Sequence, residues 1–259
     1  MTKLVTETAE GYVRLIGINR PDKRNAMNMA LLEELSEAFA RAEADSSARA
    51  IVLFAHGPVF TAGLDLIDVF PRLGEAESLF SKAGIDPWAT HGPARTKPLV
   101  VAVHGKCLTL GIELVLAADV TVAAEGTTFA QIEIDRGIFP FGGGVARWVQ
   151  RVGWGNAMQY LLTGDELDMR EAHRLGVVQR VVPTDELMPT ALEIAGKIAA
   201  KPPLAVQATI QNGRTFVCEG EGAAAAELMP AIKGLAGTAD LQEALAAYLE
   251  RRTPHFQGR

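Results

Sequence analysis

The 259 residues, 48% of them hydrophobic, suffice for one large domain, or one domain with an appendage, around a substantial core. The formal net charge of −6 argues against nucleic-acid binding driven by overall charge, although a local basic patch could still bind phosphate. Two cysteines, Cys107 and Cys218, supply neither a disulfide framework nor metal-ligand spacing.

Targeting and cofactor motifs are the next features to consider. The N-terminus lacks the apolar run of a signal peptide, and no stretch has the roughly eighteen uninterrupted apolar residues of a membrane helix. We therefore expect a cytoplasmic protein with no membrane partner. No Gly-x-Ser-x-Gly elbow, Walker A loop or His-Glu-x-x-His motif is present, and we predict no metal site. Gly142-Gly143-Gly144 lacks dinucleotide-fingerprint spacing and is interpreted as letting a helix approach another backbone closely.

Strands and helices interleave in the first part of the chain. Tyr12 to Ile18 alternates well enough to form a hairpin with residues near Leu4 to Thr8. Apolar residues from Leu31 to Ala42 recur at helical spacing, and Asn28 is a plausible N-cap. Ile51 to Phe54 is a candidate for a buried strand.

The segment from Ile67 to Thr96 is irregular and rich in Gly and Pro, which is typical of functional or mobile loops. The β-branched run Leu99 to Val103 predicts a buried strand. Leu110 to Ala118 has helical composition, and Val120 to Ala123 predicts a further strand.

The last part of the chain is mainly helical. Arg147 to Leu162 and Met169 to Leu175 predict helices, and Val177 to Val182 predicts a strand. Beyond Pro183 the pattern is wholly helical. The sequence thus indicates an α/β fold, with a core domain over residues 1–200 and a C-terminal helical region over residues 201–259.

The sequence contains one internal repeat. His56 to Leu66 matches His104 to Leu114 without a gap, and each copy follows a predicted buried strand and ends in Gly-apolar-acid-Leu at a predicted helix start. Such self-similarity indicates stacked strand–loop–helix units in a spiral core. Unpaired amides at two such helix starts could bind one oxyanion, but the same pattern also fits ordinary strand–helix turns.

Two glutamates, Glu113 and Glu133, lie in otherwise apolar surroundings close to these turns. A pair of carboxylates beside an oxyanion site could deliver water to one carbon and a proton to its neighbour. Alternatively, Glu113 caps its own helix and Glu133 makes a surface pair. The residues alone leave both interpretations open.

The ordered motifs of the chain resemble those of the crotonase superfamily, the enoyl-CoA hydratase/isomerase group. The resemblance runs from Asn19 to about Phe256. Its motifs are Asn19-Arg20-Pro21 with Asn25-Ala26-Met27, Phe60 to Leu66, Gly111-Ile112-Glu113-Leu114 with Ala118-Asp119, Phe129 with Glu133, Gly137, Pro140 and Gly142-Gly143, and Leu162-Thr163-Gly164-Asp165 with Ala172 and Gly176-Val177-Val178.

This resemblance implies a spiral of ββα units with a C-terminal helical trimerisation layer, giving a homotrimer or a dimer of trimers. It implies oxyanion donors at the backbone amides of Leu64 and Leu110. Glu113 matches the carboxylate that activates water, and Glu133 matches the one that gives a proton to the α-carbon. Asp65 matches a position that is more often structural.

The resemblance also implies an acyl-CoA thioester substrate, with coenzyme A as part of the substrate and no separate cofactor. The residues implied near its adenine and phosphates are Lys23, Arg24, Ala26 and Ala62. A basic side chain near the C-terminus, Arg251 or Arg252, could reach a phosphate or could simply lie at a solvated helix end. The segment from Ile67 to Thr96 would form the wall of the acyl pocket.

The chain departs from the hydratase pattern at Thr109-Leu110-Gly111, where relatives usually have three glycines, so Leu110 would narrow the acyl pocket or alter the angle of its amide. The expected activity is syn hydration of a trans-2-enoyl-CoA to a 3-hydroxyacyl-CoA. One alternative is a Δ3-Δ2 enoyl-CoA isomerase that uses mainly Glu133. Another is a catalytically idle protein that binds CoA, RNA or a partner protein, which retention of both glutamates and the acidic charge disfavour.

Overall fold

The computed structural model describes residues 3–72, 74 and 84–259. Two sheets and a set of helices make up this part of the chain. The strands are β1 (Val5–Glu10), β2 (Val13–Ile18), β3 (Ala50–Ala55), β4 (Leu99–Val103), β5 (Lys106–Leu108), β6 (Val120–Ala124), β7 (Thr128–Ala130), β8 (Leu167–Asp168) and β9 (Arg180–Val182). The helices are α1 (Met29–Ala44), α2 (Leu66–Val69), α3 (Leu110–Ala117), α4 (Gly144–Val152), α5 (Trp154–Thr163), α6 (Met169–Arg174), α7 (Leu187–Ala199), α8 (Pro203–Glu219), α9 (Glu221–Ala236) and α10 (Ala239–Glu250).

The larger sheet has the strand order β1-β2-β3-β4-β6-β9. The predicted hairpin is confirmed, because β1 pairs with β2 antiparallel. The other strand pairs of this sheet, β2-β3, β3-β4, β4-β6 and β6-β9, are parallel. β4 is buried along its whole length, as its uniformly apolar sequence requires for a central parallel strand. A smaller sheet has the order β5-β7-β8.

The predicted helix after Asn28 is confirmed. The side chain of Asn28 accepts a hydrogen bond of 3.1 Å from the amide of Leu31, which satisfies one of the unpaired donors of the first turn. One face of α1 packs into the core through Leu31, Leu35 and Phe39, at the spacing that the sequence shows.

Successive units of the chain repeat one arrangement, as expected for a spiral of ββα units. β3, β4 and β6 lie side by side in the larger sheet. After each of them the chain crosses to the smaller sheet, where Thr61 bridges to Cys107 in β5 and β5 pairs with β7. Each unit then ends in a helix: α2, α3 or the 3-10 helix Ile132–Arg136.

The structure corrects three details of the sequence prediction. The first copy of the repeat does not place Leu64 at a helix start, because α2 begins two residues later, at Leu66. The helix predicted from Arg147 to Leu162 is two helices, because Gly153 has a backbone conformation (φ 77°, ψ 162°) that breaks the first.

The third correction concerns the strand predicted from Val177 to Val182, which is confined to β9. The amides of Val177 and Val178 instead donate to the carbonyl of Ala172, at the end of α6. Both valines are nevertheless buried, which explains their apolar character without a strand.

The C-terminal helices fall into two groups. α7 packs against the larger sheet through Leu187, Ala191 and Ala195. α8 packs mainly against α9, and many large apolar side chains of α8, α9 and α10 are exposed. A division of the chain near residue 200 stays a prediction. None of the helices in the described ranges is long and apolar enough to cross a bilayer.

Candidate functional site

Two loops that follow the neighbouring strands β3 and β4 lie against each other. The amide of Thr61 donates to the carbonyl of Lys106 at 3.1 Å, and the amide of Leu108 donates to the carbonyl of Thr61 at 3.1 Å. This pairing places the two copies of the sequence repeat side by side. Gly63 in one loop then touches Thr109 in the other. A Cβ on Gly63, whose φ is +89°, would lie only 2.1 Å from Thr109 Oγ1, so glycine is required there.

The amides of Leu64 and Leu110 each follow one of these two touching residues. Leu110 is the first residue of α3, so its amide has no partner within the helix. Leu64 is flanked by two backbone hydrogen bonds to Met27, one through Gly63 and one through Asp65. In the described ranges neither the Leu64 nor the Leu110 amide donates to a protein acceptor. Two free donors therefore lie in adjacent loops.

Thr109 is held in a conformation that a β-branched residue rarely adopts, with φ 50° and ψ −117°. Its hydroxyl oxygen is buried and forms no hydrogen bond with any residue in the described ranges. The departure from glycine at this position thus carries backbone strain and an unsatisfied polar atom, directly before the Leu110 amide.

The T109G variant is expected to raise the free energy of unfolding by about 1 kcal/mol, because relief of strain outweighs the entropy that glycine adds to the unfolded chain. Urea denaturation of the variant and the wild type measures this. The matched control is T121G, a buried threonine in β6, which is expected to lose about 1 kcal/mol or more. Equal losses at both positions would contradict the strain at Thr109.

Glu113 is completely buried in the first turn of α3. Its Oε1 accepts a hydrogen bond of 2.7 Å from the amide of Gly144, whereas its Oε2 has no hydrogen-bond partner among the residues that the structure describes. Burial, and next the charge of Glu133, raise the pKa of Glu113 to about 8, against the opposing effect of the Gly144 and Gly142 amides and of Arg147.

Glu133 lies in the 3-10 helix Ile132–Arg136 and is 4% exposed. Its Oε1 accepts a hydrogen bond of 2.8 Å from Gln131 Nε2, and within the described part of the chain its Oε2 has no hydrogen-bond partner. Burial raises the pKa of Glu133 to about 7, although its own amide and Gln131 oppose this. Each glutamate therefore has one oxygen fixed by the protein and one buried oxygen left free, and the two charges interact.

The glycine run before α4 makes room for a carboxylate. A Cβ on Gly144 would lie 2.7 Å from Glu113 Oε1, and a Cβ on Gly142 would lie 2.9 Å from Glu113 Oε2. The predicted close approach is thus to the Glu113 side chain rather than to another backbone. The same Cβ on Gly142 would be 2.9 Å from Leu110 Cδ2 and 3.0 Å from Trp88 Cδ1, so Leu110 and Trp88 form a wall beside Glu113.

The residues expected near CoA form one loop pair beside Leu64. The amide of Ala62 donates to the carbonyl of Arg24 at 2.9 Å, and Lys23 and Arg24 are exposed. The buried side chain of Asn25 fixes this loop, because its Nδ2 donates to the carbonyls of His56 and Val59. The structure thus brings Lys23, Arg24, Ala26 and Ala62 together at one edge of the site.

Asp65 and Arg252 have other partners. Arg20 pairs with Asp65 at 2.7 Å. Arg252 pairs with Glu243 and Glu250, so its charge is already neutralised within the C-terminal region. Of the expected acyl-pocket wall, residues 73 and 75–83 lie outside the described residues, and the remainder contributes Trp88, whose indole N–H donates to the carbonyl of Leu110 at 2.9 Å.

Sequence reasoning missed three residues that shape this site: Trp88, Gln131 and Trp148. Gln131 was detectable only as a polar residue two positions before Glu133 in an apolar stretch. Trp88 and Trp148 carry no signal in the sequence beyond their size.

The chain resembles known proteins along its whole length. The family model described as enoyl-CoA hydratase/isomerase matches residues 8–259. The 2,3-dehydroadipyl-CoA hydratase of Escherichia coli (strain K12) is 36% identical over 259 residues, which cover 100% of both chains. The short-chain-enoyl-CoA hydratase of Clostridium acetobutylicum is 34% identical, covering 94% of this chain and 93% of the relative.

Solved structures agree with these sequence relatives. The crystal structure of a "probable enoyl-CoA hydratase/isomerase" from Mycobacterium abscessus superimposes with a TM-score of 0.96 at 49% identity, covering 99% of each chain. An enoyl-CoA hydratase from Bacillus anthracis gives a TM-score of 0.90 at 28% identity, over 99% of this chain and 100% of that one. With its crotonase-type fold, this chain is an enzyme of the enoyl-CoA hydratase/isomerase family.

Proposed function

We propose that the enzyme adds water across the double bond of a trans-2-enoyl-CoA, with syn geometry, to give a 3-hydroxyacyl-CoA. The observation that carries this proposal is the pair of buried carboxyl groups, Glu113 and Glu133, each with one free oxygen, beside the free amides of Leu64 and Leu110. The chemistry needs an oxyanion site, a base for water and an acid for carbon, and these four groups could supply all three.

In this mechanism the thioester oxygen accepts hydrogen bonds from the Leu64 and Leu110 amides. Glu113 removes a proton from water as the water oxygen bonds to C3, and the π electrons move onto the thioester oxygen as an enolate. The enolate then takes a proton at C2 from Glu133. One preorganised oxyanion donor typically lowers the barrier by roughly 3 kcal/mol. No separate cofactor is needed, because each proton moves between substrate, water and carboxyl groups.

Substrate binding in this proposal uses the loop pair beside Leu64. The CoA phosphates lie near the exposed side chains of Lys23 and Arg24, and the adenine lies near Ala26 and Ala62. We place the enzyme in the cytoplasm, where cysteines remain reduced, since Cys107 and Cys218 are both free thiols.

The free oxygens on both glutamates favour hydration over isomerisation. A Δ3-Δ2 isomerase needs one group to carry a proton between two carbons, which Glu133 alone could do. Glu113 is held by the Gly144 amide, and its burial raises its pKa. That reaction has no use for such a group. An idle CoA-binding protein would require neither free carboxyl oxygen.

The test is an assay that follows loss of the conjugated absorbance with crotonyl-CoA, trans-2-hexenoyl-CoA and 2,3-dehydroadipyl-CoA, the last chosen from the name of the Escherichia coli relative. Hydration of at least one of them is expected. Turnover of a 3-enoyl-CoA without hydration of any 2-enoyl-CoA would establish the isomerase instead. CoA binding without either reaction would establish the idle protein.

The pH dependence of kcat/KM is expected to be bell-shaped, because the pair must hold one proton. The two coupled carboxyl groups titrate with apparent pKa values of about 7 and about 8 that belong to the pair rather than to either residue. Their single proton exchanges between them, and in the reactive form Glu133 holds it and Glu113 is ionised. Below about pH 7 a second proton removes the base, and above about pH 8 loss of the last proton removes the acid. Initial rates at low crotonyl-CoA concentration between pH 5.5 and 9.5 measure this profile. A flat profile over that range would contradict the role of the pair.

We also propose that the protein assembles as a homotrimer or a dimer of trimers through its C-terminal helices. Large apolar side chains on these helices are exposed to solvent in the single chain, which monomeric proteins rarely tolerate in such number. The side chains concerned are Phe216, Val217, Leu228, Met229, Ile232, Leu241, Leu245, Tyr248 and Leu249.

The double variant L245E/L249E, which places two charges one turn apart on α10, is expected to dissociate the assembly at micromolar concentration. Size-exclusion chromatography with light scattering gives the mass. The matched control is A239E on the same helix, which adds a charge at an exposed position on a different side from Leu245 and Leu249 and is expected to keep the wild-type mass. A monomeric wild type would contradict the proposed assembly.

A further inference from the structure

A chain of two buried hydrogen bonds reaches Glu133 from the side of α4. The indole Nε1–H of Trp148 donates to Gln131 Oε1 at 3.1 Å, and Gln131 Nε2–H donates to Glu133 Oε1 at 2.8 Å. Trp148 is 0% and Gln131 1% exposed, so water does not compete for either bond. In such surroundings hydrogen bonds are stronger and their loss is costly.

The direction of this chain is fixed by chemistry. An indole N–H can only donate, so the atom of Gln131 that faces Trp148 must be its carbonyl oxygen. The amide nitrogen of Gln131 then faces Glu133, and it carries hydrogens and no lone pair for acceptance. Glu133 Oε1 must therefore accept. Because the carbonyl oxygen of a carboxylic acid accepts better than its hydroxyl oxygen, this bond favours the proton on Oε2.

The orientation of the indole is itself held by packing. Trp148 stacks on Tyr160 with 5.9 Å between ring centroids and an angle of 27° between the ring planes. Trp148 belongs to α4, whose first residue, Gly144, binds Glu113. One short helix thus fixes an oxygen of each glutamate, directly for Glu113 and through Gln131 for Glu133.

We propose that Trp148 and Gln131 are positioning residues that confine the transferable proton of Glu133 to Oε2. This inference rests on the proposed hydration. Oε2 is the oxygen without a protein partner, so it is the one that can face the α-carbon of the substrate. In the step concerned, the Oε2–H bond breaks, the enolate electron pair forms the C2–H bond, and Glu133 is left as a carboxylate.

Removal of the indole N–H allows the Gln131 amide to turn over. The turned amide places its oxygen against Glu133 Oε1. These two acceptor oxygens can lie together only if Glu133 Oε1 takes the proton and donates it to the Gln131 oxygen. The proton would then point away from the substrate. The variant should bind CoA thioesters normally but transfer the proton slowly.

The experiment compares W148F, which removes the N–H and keeps a ring, with Y160F, which keeps the ring that stacks on Trp148 and removes only its hydroxyl group. Steady-state hydration of crotonyl-CoA is measured in H2O and D2O. W148F is expected to lower kcat about tenfold, to change KM less than twofold and to increase the solvent isotope effect on kcat. Y160F is expected to keep kcat, KM and the isotope effect within twofold of wild type, because the stacking on Trp148 and the indole N–H are both kept.

The Q131M variant keeps the length of the side chain without its amide and provides a second test should W148F not fold. It is expected to show the same fall in kcat with little change in KM. Wild-type kcat in a folded W148F or Q131M, or an equal defect in Y160F, would overturn the proposal. An inactive wild type would overturn the proposed hydration itself, which separates the two failures.

Discussion

The E133Q variant is expected to lower kcat for hydration by about 10²–10⁴-fold while KM for the enoyl-CoA changes less than threefold. The range is that of a lost general acid. The substitution keeps the size of the side chain and an oxygen that can accept from Gln131, but an amide has no proton to give at C2. Crotonyl-CoA hydration in steady state measures both constants.

The matched control is D135N, an exposed carboxylate in the same 3-10 helix, two residues further on. It makes the same carboxyl-to-amide change in the same turn and is expected to keep kcat within twofold. Retention of wild-type turnover by E133Q would remove Glu133 from the mechanism. A similar loss in D135N would mean that the charge of the turn, and not proton transfer, is responsible.

The E113Q variant is expected to lose hydration to a similar extent and to gain stability at alkaline pH. The second effect follows from the raised pKa of Glu113, about 8 in the folded protein against 4.5 for an ordinary glutamate. Between these values the native state keeps a proton that the unfolded state has lost. The free energy of unfolding of the wild type therefore falls as pH rises from about 4.5 to about 8.

Glutamine does not titrate, so in E113Q this decrease in the free energy of unfolding with rising pH is absent. E113Q is expected to be more stable than wild type by about 3–5 kcal/mol above pH 8, with a difference that vanishes near pH 4.5. The amide oxygen can still accept from Gly144 N–H, so the local hydrogen bond is kept. Urea denaturation at pH 5 and at pH 8.5 measures the difference.

The stability control is E166Q, an exposed carboxylate that pairs with Lys106 at the surface. This variant is expected to change stability by less than about 1 kcal/mol at either pH, because exposed pairs contribute little. A lower stability of E113Q at pH 8.5 would show that Glu113 is not held protonated by burial. Together, loss of activity and gain of stability would identify Glu113 as a group that the fold tolerates for function.

Local patterns predicted the framework well. The β-branched run of β4, the helical spacing of α1 and its Asn28 cap all appear where the sequence placed them. The donor at Leu110 was also predictable, because a helix start follows from local sequence and always leaves its first amides unpaired. The error at Leu64 has the same origin, since the motif is similar but the helix after it begins later.

The sequence by itself determined the order of the elements, the two loops of the repeat and the presence of two glutamates near them, because these depend on residues close together in the chain. Only the tertiary structure decided which oxygen of each glutamate is free and how far its pKa rises. Glu113 accepts a hydrogen bond from Gly144, thirty-one residues away. Glu133 accepts one from Gln131, which in turn accepts one from Trp148. Desolvation and hydrogen-bond direction depend on atoms that come into contact only in the folded chain, so the spacing of residues along the sequence does not predict them.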